Sequence, residues 1–181
     1  MLVTLYNSGA RVSEITGVRR DDVVLDSPAS LKLHGKGRKD RAVPLWTRTA
    51  HVLRIWFQEL GDRFGEFAFP SARANRLSRH GVSYLLNRLA DEAASACPSL
   101  RNKQISPHVI RHSTAMHLLQ SGVDPAVIAL WLGHESVETT HGYVEADLTM
   151  MESAMGKLTP AGSAPARFKA PDDLLAFLAT L

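Results

Sequence analysis

The stretch SPHVIRHSTAMHLLQSG, residues 106–122, decides how the rest of the chain is arranged. Ser106 followed by Pro107 is a helix start. A serine side chain accepts a hydrogen bond from a free N–H of the first turn, and proline suits a position whose own N–H would have no partner. The helix is expected to run to Ser121 and stop at Gly122. Within it, HVIRH (108–112) admits two readings. Two histidines one turn apart look like a metal pair, whereas a histidine and an arginine near the helix start look like a grip on phosphate. A zinc-protease pair needs a glutamate directly after the first histidine, and this chain has Val109 there. Arg111 also sets a fixed positive charge beside the supposed metal. The first turns instead offer free N–H groups and the positive end of the helix dipole, a natural setting for an anion. That dipole disfavours a charged imidazolium, so His108 is expected to be neutral and able to accept a proton. His112 and His117 are expected to be hydrogen-bonded residues of the core or its boundary, and no metal or other cofactor is expected.

Working outward, Asp124-Pro125 repeats the start signal and Gly133 ends the next helix. Ser136 caps a short helix over 137–143, and another follows to about Met155. A helix-turn-helix over DPAVIALWLGHESVETTHGYV (124–144) is a rival reading of this region. It leaves Arg11, Lys36, His108 and Arg111 unexplained. Upstream, residues 1–6 read as the interior of an amphipathic helix, 7–9 break it, and 11–18 form a second short helix. SLKLHGKGRKDRAVPL (30–45) is the only convincing β region, a hairpin turning at Gly35 and Gly37. From Thr47 a helix carries Val52, Leu53, Ile55, Trp56 and Leu60 as one apolar face, and Ser78 caps another to about Ser95 with Val82, Leu85, Leu86 and Leu89 inward. The class is mainly α with a small antiparallel β-sheet (α+β).

With 181 residues the chain can build one domain with a sizeable core. No apolar stretch approaches the roughly 20 residues of a membrane span. One cysteine, Cys97, permits no internal disulfide and suits a reducing cytoplasm. The net charge is only +3, but most arginines fall within 11–54 and 63–111, which favours an anionic partner. Residues 159–171, TPAGSAPARFKAP, are a linker by composition. After it, 172–181 (DDLLAFLATL) reads as a short amphipathic tail helix.

Four segments, GARVSEI (9–15), GKGRKDRAVPL (35–45), SPHVIRHSTAMHLL (106–119) and WLGHESVETTHGY (131–143), resemble in order and spacing the catalytic-domain motifs of the tyrosine recombinase (phage integrase) family. The resemblance covers roughly residues 1–155. It implies a catalytic domain over 1–158, shortened at its N-terminus and without the family's separate N-terminal core-binding domain. Arg11 and Arg111 match the two arginines that clamp one DNA phosphate, Lys36 the hairpin lysine, His108 and His134 the two histidines, and Tyr143 the nucleophile. Such a set suits the chemistry. Planar, permanently charged guanidiniums stabilise the charge gathering on equatorial phosphate oxygens. A phenol near pKa 10 needs its proton taken, for which His108 is placed, and the leaving 5′ oxygen needs one given, for which Lys36 is placed. Glu14, one helical step from Arg11, can hold that guanidinium; otherwise it is a surface carboxylate. The implied partners are double-stranded DNA and further copies of the chain, a tetramer on DNA exchanging tail helices, in the cytoplasm with the nucleoid. Two other functions share these motifs. One is a truncated fragment that binds DNA or a partner recombinase without recombining, and the other is a type IB topoisomerase-like enzyme that nicks and reseals one strand.

Overall fold

The computed structural model describes residues 1–35, 39–61, 65–101, 103–133, 151 and 154–155. Its elements are α1 (Leu2–Ser8), α2 (Val12–Ile15), β1 (Val23–Val24), β2 (Ser30–His34), β3 (Asp40–Pro44), α3 (Thr47–Leu60), α4 (Arg79–Ala93), α5 (Pro107–Gln120) and α6 (Pro125–Leu132). The expected class is what forms, mainly helical with one antiparallel sheet in the order β1-β2-β3. The helix starts read from sequence are present as chemistry. Ser106 accepts from Val109 N, Ser78 from Gly81 N and Asp124 from Ala126 N.

Four expectations need correction. The sheet has a third strand, β1, pairing Val23 with Leu31 and Val24 with Ser30. Two residues are too few to show a period of two, so no alternation marked it. In α3 the inward stripe is Leu53, Trp56, Phe57 and Leu60, at i, i+3, i+4 and i+7. Val52 and Ile55 sit one position off that phase and are exposed. Helix α2 is one turn long, with Arg11 as its N-cap rather than its first helical residue. Asn7 and Ser8 do not break α1, which runs through both to a left-handed Gly9.

Asn7 stays helical because its side chain has buried work to do. Nδ2 donates to the Pro44 carbonyl at 3.0 Å, Oδ1 accepts from Trp46 N at 2.8 Å, and its own carbonyl takes Trp131 Nε1 at 3.1 Å. A wholly buried amide so satisfied ties α1 to β3 and α6. Thr114 Oγ1 donates to the Tyr6 carbonyl at 2.7 Å and fastens α1 to α5. The core between these helices and the inner sheet face contains Leu5, Ile15, Leu31, Leu33, Val43, Leu118 and Ile128. Trp131 and Leu132 are both fully buried, so α6, the first helix of the helix-turn-helix alternative, is a core element.

The outer face of the hairpin holds a charged clasp. His34 Nε2 lies 2.9 Å from Asp22 Oδ1, and Nδ1 lies 2.9 Å from Asp40 Oδ1. With a carboxylate on each ring nitrogen the imidazolium is favoured, and hydrogen bonds to Asp22 and then Asp40 raise the His34 pKa above its ordinary value. The resulting stabilisation is full below the unfolded pKa of about 6.5 and is lost as pH rises through the folded value. The side chain is half exposed, so the effect is small. Thermal stability of wild type should exceed that of His34→Gln on the acid side and converge with it as pH rises. A gap independent of pH would mean that the clasp carries no linked proton.

Candidate active site

Arg11 caps α2. Its backbone N–H donates to Glu14 Oε2 at 2.8 Å, and its Nη1 donates to Oε1 at 3.3 Å. The expected contact between the two residues is therefore present. Glu14, however, is no surface carboxylate, since its side chain is 3% exposed. Burying that charge is costly unless it is paired and hydrogen-bonded. The residue that meets the cost is one that sequence reasoning passed over. Arg41, on β3, donates Nη1 to Oε1 and Nη2 to Oε2, both at 2.9 Å, and its Nε donates to the Trp131 carbonyl at 2.9 Å. Burial alone would raise the Glu14 carboxyl. The hydrogen bond and charge of Arg41, followed by those of Arg11, outweigh burial and hold it below the ordinary carboxylate range.

A signal for Arg41 was there. It pairs with the fully buried Leu33 and lies two residues from the equally buried Val43, so strand alternation points it inward. An arginine at such a position implies a buried acceptor.

Arg111, on α5, is itself buried. Its Nη1 donates to the Gly9 carbonyl at 2.6 Å and its Nη2 to the Leu132 carbonyl at 2.9 Å. Burial, and next the like charges of Arg11 and Arg41, lower its pKa to about 10, which leaves it charged at neutral pH. Arg11 Nη1 also donates to the Gly133 carbonyl at 3.2 Å. Three guanidiniums from three separate elements therefore close on three successive carbonyls, Trp131, Leu132 and Gly133. The last turn of a helix leaves its carbonyls without partners from its own N–H groups and carries the negative end of the dipole, so arginines gather there.

Two glycines permit this crowding. Gly133 has φ +69°, and a Cβ on it would lie 2.7 Å from Arg41 Nη1. Gly9 has φ +58°, and a Cβ there would lie 2.3 Å from Leu132 Cδ2.

His108 is exposed in the first turn of α5. Its Nε2 lies 2.8 Å from His112 Nε2, with the rings edge to face at 4.3 Å. One ring donates and the other accepts, so the two nitrogens cannot both carry protons in this pairing. Burial, then the charges of His108 and Arg111, lower the His112 pKa and disfavour its charged form. His117 Nδ1 lies 3.0 Å from the Tyr6 hydroxyl. Both His112 and His117 are thus hydrogen-bonded boundary residues.

Of the predicted site residues, the structure brings Arg11, Glu14 and Arg111 to one junction at the end of α6, with His108 one turn before Arg111 on the same helix. Lys36, His134 and Tyr143 lie outside the described residues, as do the helix expected over 137–143, the linker 159–171 and the tail 172–181. In sequence, Lys36 directly follows Gly35, whose N–H donates to the Lys39 carbonyl at 2.9 Å, and His134 directly follows Gly133. Three guanidiniums against one carboxylate leave excess positive potential at the junction, which suits an anion. Among the described residues no group of three or more His, Cys, Asp or Glu side chains is placed to hold a metal, and no helix is long and apolar enough to cross a membrane.

The sequence model of the phage integrase family matches residues 1–149, and the chain belongs to that family. The putative integrase/recombinase y4rC of Sinorhizobium fredii is 49% identical over 180 residues, 99% of this chain and 54% of that protein. Tyrosine recombinase XerC of Pelobacter propionicus is 34% identical over 166 residues, 91% of this chain and 53% of that one. Among solved structures, the XerH site-specific recombinase bound to a palindromic difH substrate, in a post-cleavage complex, superposes with a TM-score of 0.63 at 25% identity. The match covers 86% of this chain and 44% of that chain. The chain spans about half the length of the curated relatives it matches.

Proposed function

We propose that this chain is the catalytic domain of a site-specific DNA recombinase that cuts and rejoins strands through a 3′-phosphotyrosyl intermediate. The observation that carries this reading is the junction of Arg11 and Arg111. Two guanidiniums from different elements converge on the end of α6, immediately before His134 in sequence, with His108 one turn from Arg111.

In this mechanism Arg11 and Arg111 hold the nonbridging oxygens of the scissile phosphate of double-stranded DNA, and His134 donates a further hydrogen bond. The Tyr143 oxygen attacks phosphorus while His108 accepts the phenolic proton. The bond to the 5′ oxygen breaks, and Lys36 supplies that oxygen with a proton. A 3′-phosphotyrosyl ester and a free 5′-hydroxyl result. Because one ester is exchanged for another, rejoining needs no nucleotide cofactor. Residues 1–158 would carry the chemistry, and the tail 172–181, joined through 159–171, would dock on a neighbouring copy in a tetramer on DNA in the cytoplasm.

The test uses a library of nicked duplexes of random sequence, in which a short cleaved strand diffuses away and traps the covalent complex. Wild type should yield SDS-resistant protein–DNA adducts, and chelator should leave their yield unchanged, because the charge on phosphate is met by guanidiniums. Failure to form any adduct would overturn the reading. Adducts that vanish with chelator and return with zinc would assign the His108/His112 pair to a metal instead.

A further inference from the structure

We propose that Arg41 is a positioning residue for strand cleavage: by occupying both oxygens of Glu14 and the Trp131 carbonyl, it keeps Arg11 aligned yet available for phosphate. This inference rests on the function proposed above.

Arg41 and Arg11 compete for one buried carboxylate. Arg41 meets both Glu14 oxygens at 2.9 Å, whereas Arg11 Nη1 reaches only Oε1, at 3.3 Å. The short two-point bond is the stronger, so Glu14 is neutralised chiefly by Arg41. Arg11 is then steered by its capping N–H and two long contacts of Nη1, to Glu14 and to the Gly133 carbonyl, while its exposed side chain remains open to an anion. Its side chain is 42% exposed, against 11% for that of Arg41. Nε and both terminal nitrogens of Arg41 each donate to protein oxygens, and it is through these groups that Arg41 is proposed to act.

The Nε bond to Trp131 does the second task. With the close approach of Gly133, it fixes the last turn of α6, from which the chain passes directly to His134. Without Arg41, the ionised Glu14 keeps Arg11 as a charged partner close by and should draw that guanidinium inward, away from phosphate.

Two variants separate positioning from simple folding. Arg41→Lys preserves a positive charge for Glu14, but an ammonium cannot bridge both carboxylate oxygens in a planar fork while also reaching Trp131. Arg41→Ala removes everything. Circular dichroism and melting temperature monitor the fold of both. With a nicked duplex recovered from the random library, Arg41→Lys should form adduct more than about tenfold more slowly at saturating DNA, while KM changes by less than about threefold. Millimolar methylguanidinium should partly restore Arg41→Ala, and ammonium should not. A wild-type rate at saturation in both variants, or a loss confined to KM, overturns the proposal.

A measurement on the DNA-free protein keeps this test independent of activity. In nitrogen-15 NMR spectra the Arg11 Nε–H signal should shift and exchange more slowly with water in Arg41→Lys, as the guanidinium closes onto Glu14. An unchanged Arg11 signal overturns the proposal even if the protein cleaves. If wild type forms no adduct with any duplex, the functional reading fails, and the Arg11 signal still decides whether Arg41 positions that residue.

Discussion

Replacing Tyr143 by phenylalanine should abolish covalent attachment to DNA while leaving noncovalent binding unchanged within about twofold. The substitution removes one oxygen and keeps the ring, so any packing of that ring is conserved, but no nucleophile remains to attack phosphorus. The chain has three tyrosines, and the other two are poorly suited to take over. The Tyr6 hydroxyl is engaged by His117 at 3.0 Å, and burial raises its pKa, which makes its phenolate scarcer. Tyr84 is 66% exposed on α4, outside the arginine junction. Adduct yield is read on denaturing gels and binding by mobility shift. A Tyr143→Phe protein that still forms SDS-resistant adduct would place the nucleophile elsewhere.

The second large effect belongs to Arg11. Arg11→Ala should slow adduct formation by about 10²- to 10³-fold, because removing one donor to a charge that develops in the transition state costs roughly 3–4 kcal/mol. Arg11 is the cleaner of the two proposed clamp residues to test. Its guanidinium is partly exposed, and Glu14 keeps the two-point bond of Arg41 when Arg11 is truncated. Arg111 differs, because it is buried and fastens the carbonyls of Gly9 and Leu132. Truncating it leaves those carbonyls short of a donor and lowers stability as well as rate. Single-turnover kinetics at saturating nicked duplex, with melting temperature measured alongside, separate the two cases. A loss below tenfold for Arg11→Ala, with binding intact, would mean that the phosphate sits elsewhere.

What could be read in the sequence was set by local physics. Ser106-Pro107, Asp124-Pro125 and Ser78 announce helix starts because a capping oxygen and a proline act within one turn, and each does so in the fold. Leu31 and Leu33 alternate with the exposed Lys32 and His34, so the hairpin was legible. Strand β1 was not, because its two residues gain their structure from pairing with β2 rather than from any pattern of their own. The exposed Val52 and Ile55 show the related limit, since apolar residues one step out of phase cannot be sorted from the stripe without knowing which face is covered.

At the site, the Arg11–Glu14 pairing was legible because it spans a single turn. The depth of Glu14 and the role of Arg41 were not, because they arise when α2, β3 and α6 meet across long sequence separations. The same holds for the three carbonyls at the end of α6. Nothing local to WLG says that three distant arginines will close on it.

Tyr143 should become esterified to a DNA 3′-phosphate, a bond that mass spectrometry of the trapped adduct identifies. Wild type is trapped on a nicked duplex from the random library, and the adduct is digested with nuclease and protease. The modified peptide is then fragmented to locate the residual nucleotide. A single modified residue is expected, Tyr143, joined through the 3′-phosphate, with a free 5′-hydroxyl on the released strand. A nucleotide on Tyr6, Tyr84 or a non-tyrosine side chain, or one joined through a 5′-phosphate, would contradict it.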